Sequence, residues 1–197
     1  MADMERIGLF GGSFDPVHTG HLILAQMAAD FAGLDRVLFM PTAAPPHKTE
    51  GTLSRFEERI AMVRLAIEGN GLFELSLLEG SGVPSYTWES VLHYSQAGYG
   101  RQQLHLIVGS DSLREMGKWR KPEVIFENAT IISMTRPGSG DLPAPPAGAV
   151  MMILDTGANT ISSSGIRSRV REGRAIRYLV PEPVERYIVD KGLYSDI

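Results

Sequence analysis

Cysteine does not occur among the 197 residues, which excludes disulfides and thiolate metal sites and leaves no thiol to form a covalent intermediate. Excess positive charge is missing too: 19 Lys and Arg face 23 Asp and Glu, a net charge of −4 that argues against a large nucleic-acid footprint. No apolar stretch approaches the roughly 20 residues that a membrane helix needs. The start Met1-Ala2-Asp3-Met4-Glu5-Arg6 lacks the basic flank and long apolar region of a signal peptide. Internal repeats and low-complexity tails are absent as well. These absences predict a cytoplasmic protein that binds neither nucleic acid nor membrane. Hydrophobic and charged contents of 43% and 21% are ordinary for a globular chain, and the length predicts one domain over residues 1–197 with ample core.

Short apolar segments alternate with helical patterns. Strands are predicted at Arg6–Phe10, Arg36–Met40, Phe73–Leu78, Gln103–Val108, Thr130–Met134 and Val150–Leu154. Helices are predicted at His21–Ala32, Leu53–Glu68, Thr87–Ala97, Leu113–Trp119, Pro122–Glu127, Ser163–Arg171 and Pro183–Lys191. This alternation implies an α/β fold with a doubly wound, mainly parallel sheet and a small C-terminal helical portion. Ligands of such folds bind beyond the carboxyl ends of the strands. Two stretches break the pattern. Pro41-Thr42-Ala43-Ala44-Pro45-Pro46-His47-Lys48 follows the second strand and ends on a cationic pair, which favours a functional loop. Pro137–Gly148, rich in Pro, Gly and Ala, is expected to be an exposed connector.

The first strand runs into Gly11-Gly12-Ser13-Phe14-Asp15-Pro16-Val17-His18-Thr19-Gly20-His21. Glycines let backbone N–H groups approach an anion, and the start of a helix adds partial positive charge. Imidazoles at i and i+3 share one helix face and can point at one phosphate. A solvated polar helix start and a transition-metal pair are the alternatives; the Gly-Gly-Ser turn suits an anion instead. A second segment, Ile161-Ser162-Ser163-Ser164-Gly165-Ile166-Arg167, opens a helix with hydroxyls that cap it and offer donors to an anion, with Arg167 one turn inside. A third, Val108-Gly109-Ser110-Asp111-Ser112, places a glycine and a carboxylate at a strand's carboxyl end, where ribose hydroxyls can be held.

The first segment resembles the signature of the nucleotidyltransferase superfamily that carries a His-x-Gly-His motif. The second resembles that superfamily's Ile-Ser-Ser-Thr-x-Ile-Arg motif, with Ser164 where Thr is usual. The third is similar to the Gly-x-Asp segment of adenylyltransferases. Pro45-Pro46-His47-Lys48, Pro84-Ser85-Tyr86-Thr87, the segment ending in Trp119-Arg120, and Thr135-Arg136-Pro137 follow in the order of one member family, the bacterial nicotinate-nucleotide adenylyltransferases. Glu89, where Asp is common, and a long Pro137–Gly148 loop depart from it.

The resemblance implies a Rossmann-like nucleotidyltransferase fold and transfer of an adenylyl group from ATP, accompanied by Mg²⁺, to nicotinate mononucleotide. It implies ATP contacts from Gly11, Gly12, Ser13, Phe14, His18, His21, Gly109, Asp111, Ser163, Ser164 and Arg167. His18, His21, Lys48 and Arg167 are the expected catalytic set. Nicotinate mononucleotide is expected against His47, Lys48, Tyr86, Thr87, Trp119, Arg120 and Arg136, with the ring near Trp119 and the phosphate near Arg136. No protein-held metal is expected. Nicotinamide mononucleotide or phosphopantetheine as acceptor, a nucleotide-sensing module without turnover, and a homo-oligomer all stay open at this stage.

Overall fold

Six apolar segments form one sheet in a computed structural model that describes residues 5–43, 53–80, 86–135, 148–155 and 161–195. The strands are β1 (Ile7–Gly12), β2 (Arg36–Pro41), β3 (Phe73–Leu75), β4 (Leu104–Val108), β5 (Thr130–Thr135) and β6 (Val150–Asp155). The helices are α1 (Thr19–Ala32), α2 (Phe56–Ile67), α3 (Thr87–Gln96), α4 (Ser110–Glu115), α5 (Pro122–Asn128), α6 (Ser163–Arg171) and α7 (Glu182–Asp190). The strand order is β3-β2-β1-β4-β5-β6 and every pairing is parallel. The winding reverses between β1 and β4, so a crevice opens beyond their carboxyl ends, at Gly12 and Gly109.

Successive side chains on each strand enter opposite cores. Val37 and Phe39 of β2 pack with Leu24, Ala25, Met62, Val63, Val184 and Ile188 of α1, α2 and α7. Leu38 and Met40 of β2 pack with Val91, Leu113, Ile125 and Phe126 of α3, α4 and α5. The C-terminal helices therefore cover the same sheet face as α1 and α2. Among the described residues no helix is long and apolar enough to cross a membrane.

Several boundaries differ from the sequence prediction. Helix α1 begins at Thr19, two residues early, with His18 as an extended N-cap (φ −144, ψ 167). Helix α2 begins at Phe56 rather than Leu53, because the Ser54 N–H donates to Asp15 Oδ2 (3.3 Å) and its carbonyl accepts from Arg59 Nε (3.1 Å), holding it outside the helix. Strand β3 stops at Leu75, and a turn closed by Gly80 N–H on the Leu77 carbonyl (2.9 Å) carries Glu79 to the end of β2. The predicted Leu113–Trp119 helix is instead α4 followed by a 3-10 turn over Met116–Lys118, with Trp119 extended beyond it (φ −67, ψ 160).

His105 on β4 is 4% exposed, with Nδ1 3.3 Å from the Gln103 carbonyl. Burial pushes its pKa below the ordinary 6.5, and Arg6 pushes the same way. The unfolded chain therefore binds this proton more readily, and stability falls as pH drops below about 6.5. His105→Leu should flatten that part of the profile, read from denaturant midpoints at about pH 7.5 and about pH 5.5. Equal losses in both proteins would contradict this.

Candidate active site

The loop after β1 is shaped by packing beneath it. Phe14 adopts a left-handed backbone (φ 46) and is 1% exposed, with its ring 5.5 Å from Phe10 and 5.7 Å from Phe39. A Cβ at Gly12 would lie 3.1 Å from that ring, so glycine lets the loop close over the aromatic. A cis Asp15–Pro16 bond then leads the chain into α1.

His18 and His21 meet at the start of α1. Their rings stack with centroids 3.6 Å apart at 25°. The His18 backbone N–H donates to His21 Nδ1 (3.1 Å), and the His21 ring lies edge-on to Phe10 (5.8 Å) and Phe14 (5.1 Å). Because Nδ1 accepts, the neutral form of His21 carries its proton on Nε2. The two histidines are thus brought together, though as N-cap and third helical residue rather than as two residues inside one helix.

Asp15, 1% exposed, joins this loop to the C-terminal helices. Its Oδ1 accepts from the Tyr194 hydroxyl (2.8 Å), and its Oδ2 lies 3.9 Å from Arg167 Nη1. Burial, with the Asp15 charge adding to it, pushes the Tyr194 phenol up, so it stays a donor. Arg167 Nη1 donates to the Asp15 carbonyl (2.7 Å) and Ser163 Oγ to the Pro16 carbonyl (2.9 Å). Of the three α6 residues expected at ATP, Ser163 and Arg167 are therefore hooked onto the β1–α1 loop. Ser162 caps α6 by accepting from Gly165 N–H (3.2 Å), and the Ser164 hydroxyl lies 3.3 Å from Ser162 Oγ.

Four residues of this scaffold were not singled out by sequence: Asp15, Arg59, Glu79 and Tyr194. Arg59, 1% exposed, donates from Nη1 to the carbonyls of Ser13 and Thr42 (both 2.8 Å) and from Nη2 to that of Ala43 (3.2 Å). It cross-links the loops that follow β1 and β2. Burial pulls its guanidinium below the ordinary value, and the Asp15 charge opposes that. Glu79, 3% exposed, accepts from Thr42 Oγ1 (2.6 Å) and Ser90 Oγ (2.8 Å). The signal for Arg59 was its place between Phe56 and Val63 on the apolar stripe of α2, where an ordinary surface arginine does not belong.

On the other side of the crevice, Tyr86 caps α3, whose first residue is Thr87, and Glu89 Oε2 accepts from the Tyr86 N–H (3.1 Å). The Glu89 departure thus has a structural use as the carboxylate of a capping box. Trp119 is half-buried beside the core under α3 and α5, and the Arg120 guanidinium lies 4.8 Å over the Tyr86 ring. Tyr86, Thr87, Trp119 and Arg120 therefore come from two separate segments to one place. Gly109, extended, caps α4 at the end of β4. His47, Lys48 and Arg136, with most of the Pro137–Gly148 loop, lie outside the described residues, as does the side chain of Asp111. Among the described residues no group of three or more His, Asp or Glu is placed to hold a metal ion.

A model of the cytidylyltransferase-like family matches residues 9–169. The "Probable nicotinate-nucleotide adenylyltransferase" of Citrifermentans bemidjiense is 41% identical over 215 residues, covering 97% of this chain and 99% of that protein. The protein of the same name from Thermomicrobium roseum is 39% identical over 201 residues, covering 98% of this chain and 94% of its own. Among solved structures, the Plasmodium falciparum nicotinic acid mononucleotide adenylyltransferase complexed with NaAD is similar in fold, with a TM-score of 0.79 at 18% identity over 97% of this chain and 98% of that one.

Proposed function

We propose the following reaction for this chain, which belongs to the nicotinate-nucleotide adenylyltransferase family within the cytidylyltransferase-like group: transfer of the adenylyl group of ATP to nicotinate mononucleotide, giving nicotinate adenine dinucleotide and pyrophosphate. The observation that carries it is the stacked His18–His21 pair at the start of α1, hooked to Ser163 and Arg167 at the start of α6. Two helix starts and their side chains then face one polyanion.

A phosphate oxygen of nicotinate mononucleotide attacks the α-phosphorus of ATP in line. The bond to the new oxygen forms as the α–β phosphoanhydride bond breaks, and pyrophosphate leaves. In this reading His21 Nε2–H donates to the charge that develops on the phosphates, and His18 backs it through the stack. Arg167, Ser163 and Lys48 add positive field and donors, so catalysis is positioning and charge stabilisation. ATP enters as its Mg²⁺ complex, the ion riding on phosphate oxygens and screening their charge. The adenosine side is assigned to Gly109 and Asp111, Ser164 joins Ser163 at the triphosphate, and the loop amides of Gly11, Gly12, Ser13 and Phe14 are assigned to phosphate. The pyridine ring is assigned to Trp119, its carboxylate to the amides near Thr87 and Arg120, and the acceptor phosphate to His47, Lys48 and Arg136. The chain acts in the cytoplasm as one nucleotidyltransferase unit over residues 1–197.

The test is pyrophosphate release with ATP and, in parallel, nicotinate mononucleotide, nicotinamide mononucleotide and phosphopantetheine. The first should be used at least about tenfold more efficiently than the others, about 1.4 kcal/mol of discrimination. Preference for phosphopantetheine, or ATP binding without release from any acceptor, would overturn the assignment.

A further inference from the structure

Between the 3-10 turn and α5 the chain makes a tight corner at Trp119, Arg120 and Lys121. Lys121 is left-handed (φ 49, ψ 54) and Pro122 follows it as the first residue of α5. A residue before proline is kept out of the right-handed helical region, but a left-handed lysine persists only where its surroundings hold it. Two stacks supply the hold. The Lys121 ammonium lies 3.9 Å from the centroid of the Trp88 ring, and the Arg120 guanidinium lies 4.8 Å from that of Tyr86. Tyr86 and Trp88 flank Thr87, where α3 begins. The buried Trp88 Nε1 has no hydrogen-bond partner among the described residues, so packing and the overlying ammonium position the indole.

We propose that Arg120 and Lys121 form a double cation–π clamp that assembles the acceptor pocket, joining the corner that carries Trp119 to the start of α3. The inference rests on the acceptor pocket described under the proposed function. Opening either stack frees the corner to rotate, and the face of Trp119 then loses its register with the first-turn amides of α3. Neither cation touches reacting atoms in this scheme; both are positioning residues. Their effect falls on acceptor binding and spares ATP, whose assigned residues lie on the β1–α1 loop, α4 and α6.

The test is a Lys121 series. Lys121→Met keeps the aliphatic stem and removes the ammonium, Lys121→Arg keeps a cation, and Lys121→Gly removes both the cation and the left-handed constraint. Lys121→Met should raise KM for nicotinate mononucleotide about 3- to 5-fold, the worth of one partly exposed stack, with KM for ATP and kcat changed by less than about twofold. Lys121→Arg should restore the KM, and Lys121→Gly should behave as Lys121→Met does. An unchanged KM in Lys121→Met, an equal rise for both substrates, or a normal KM in Lys121→Gly would overturn the clamp. A second measurement needs no substrate. The chain has two tryptophans, so Trp119→Phe leaves Trp88 as the only indole. In that background Lys121→Met should change the emission and raise the acrylamide quenching of Trp88, and Lys121→Arg should reverse it; an unchanged signal would count against the clamp. If this response holds while the unmodified chain fails to use nicotinate mononucleotide, the clamp stands and the acceptor assignment falls.

Discussion

Replacement of His21 by alanine is expected to lower turnover by about 10²- to 10³-fold while the chain stays folded, the usual cost of losing one preorganised donor at a site of developing charge. The geometry separates chemistry from structure on the two nitrogens of one ring. Nδ1 accepts the His18 N–H at 3.1 Å and belongs to the helix start. Nε2, which carries the proton of the neutral ring as a consequence, is the donor that the proposed mechanism directs at phosphate. Alanine removes both, so some stability, about 1 kcal/mol for a lost cap, goes as well. His21→Glu distinguishes the two roles. Its carboxylate can accept the His18 amide as a capping-box residue does, yet it offers no donor and repels phosphate. It should melt close to the unmodified protein and be at least as inactive as His21→Ala. Turnover near normal in His21→Ala, measured as pyrophosphate release at saturating substrates, would remove His21 from the mechanism.

Replacement of Arg59 by methionine is expected to cost about 3 to 5 kcal/mol of stability, the scale for removing one member of a buried charged network. Methionine fills a similar volume but leaves the carbonyls of Ser13, Thr42, Ala43 and Ser54 without their donor. It also removes the positive charge that balances buried Asp15. Arg59→Lys keeps that charge but cannot reproduce a planar fork directed at four acceptors, so it should recover only part of the loss. Denaturant unfolding at neutral pH measures both variants. A loss under about 1 kcal/mol in Arg59→Met would show that water replaces the fork and that Arg59 is not a staple.

The fold was readable in the sequence to a large extent because its cause is local. Strands β2 and β4 are apolar on both faces, since helices cover both faces of a parallel sheet, and such runs need no partner to be recognised. The helix starts with chemistry were legible for the same reason. Gly11-Gly12-Ser13 and Ser162-Ser163-Ser164 state in their own side chains that backbone amides will be exposed there. The misjudged start of α2 and end of β3 sit where long-range contacts override propensity. Ser54 is held by Asp15, from 39 positions away in the chain.

What the sequence by itself determined is therefore the alternation that builds the doubly wound sheet and the identity of the two helix starts at its crevice. Both follow from hydrophobic period and from side chains that act on their own neighbours. Only the tertiary structure decided how the two starts are locked together. Ser163 and Arg167 do it by donating to the backbone carbonyls of Pro16 and Asp15, while Arg59 ties the loop after β1 to the loop after β2 through the carbonyls of Ser13, Thr42 and Ala43. Every residue carries a carbonyl, so no pattern of side chains marks which ones will be bound. The same holds for the corner at Lys121, whose stack on Trp88 joins two segments that only the fold brings within 3.9 Å.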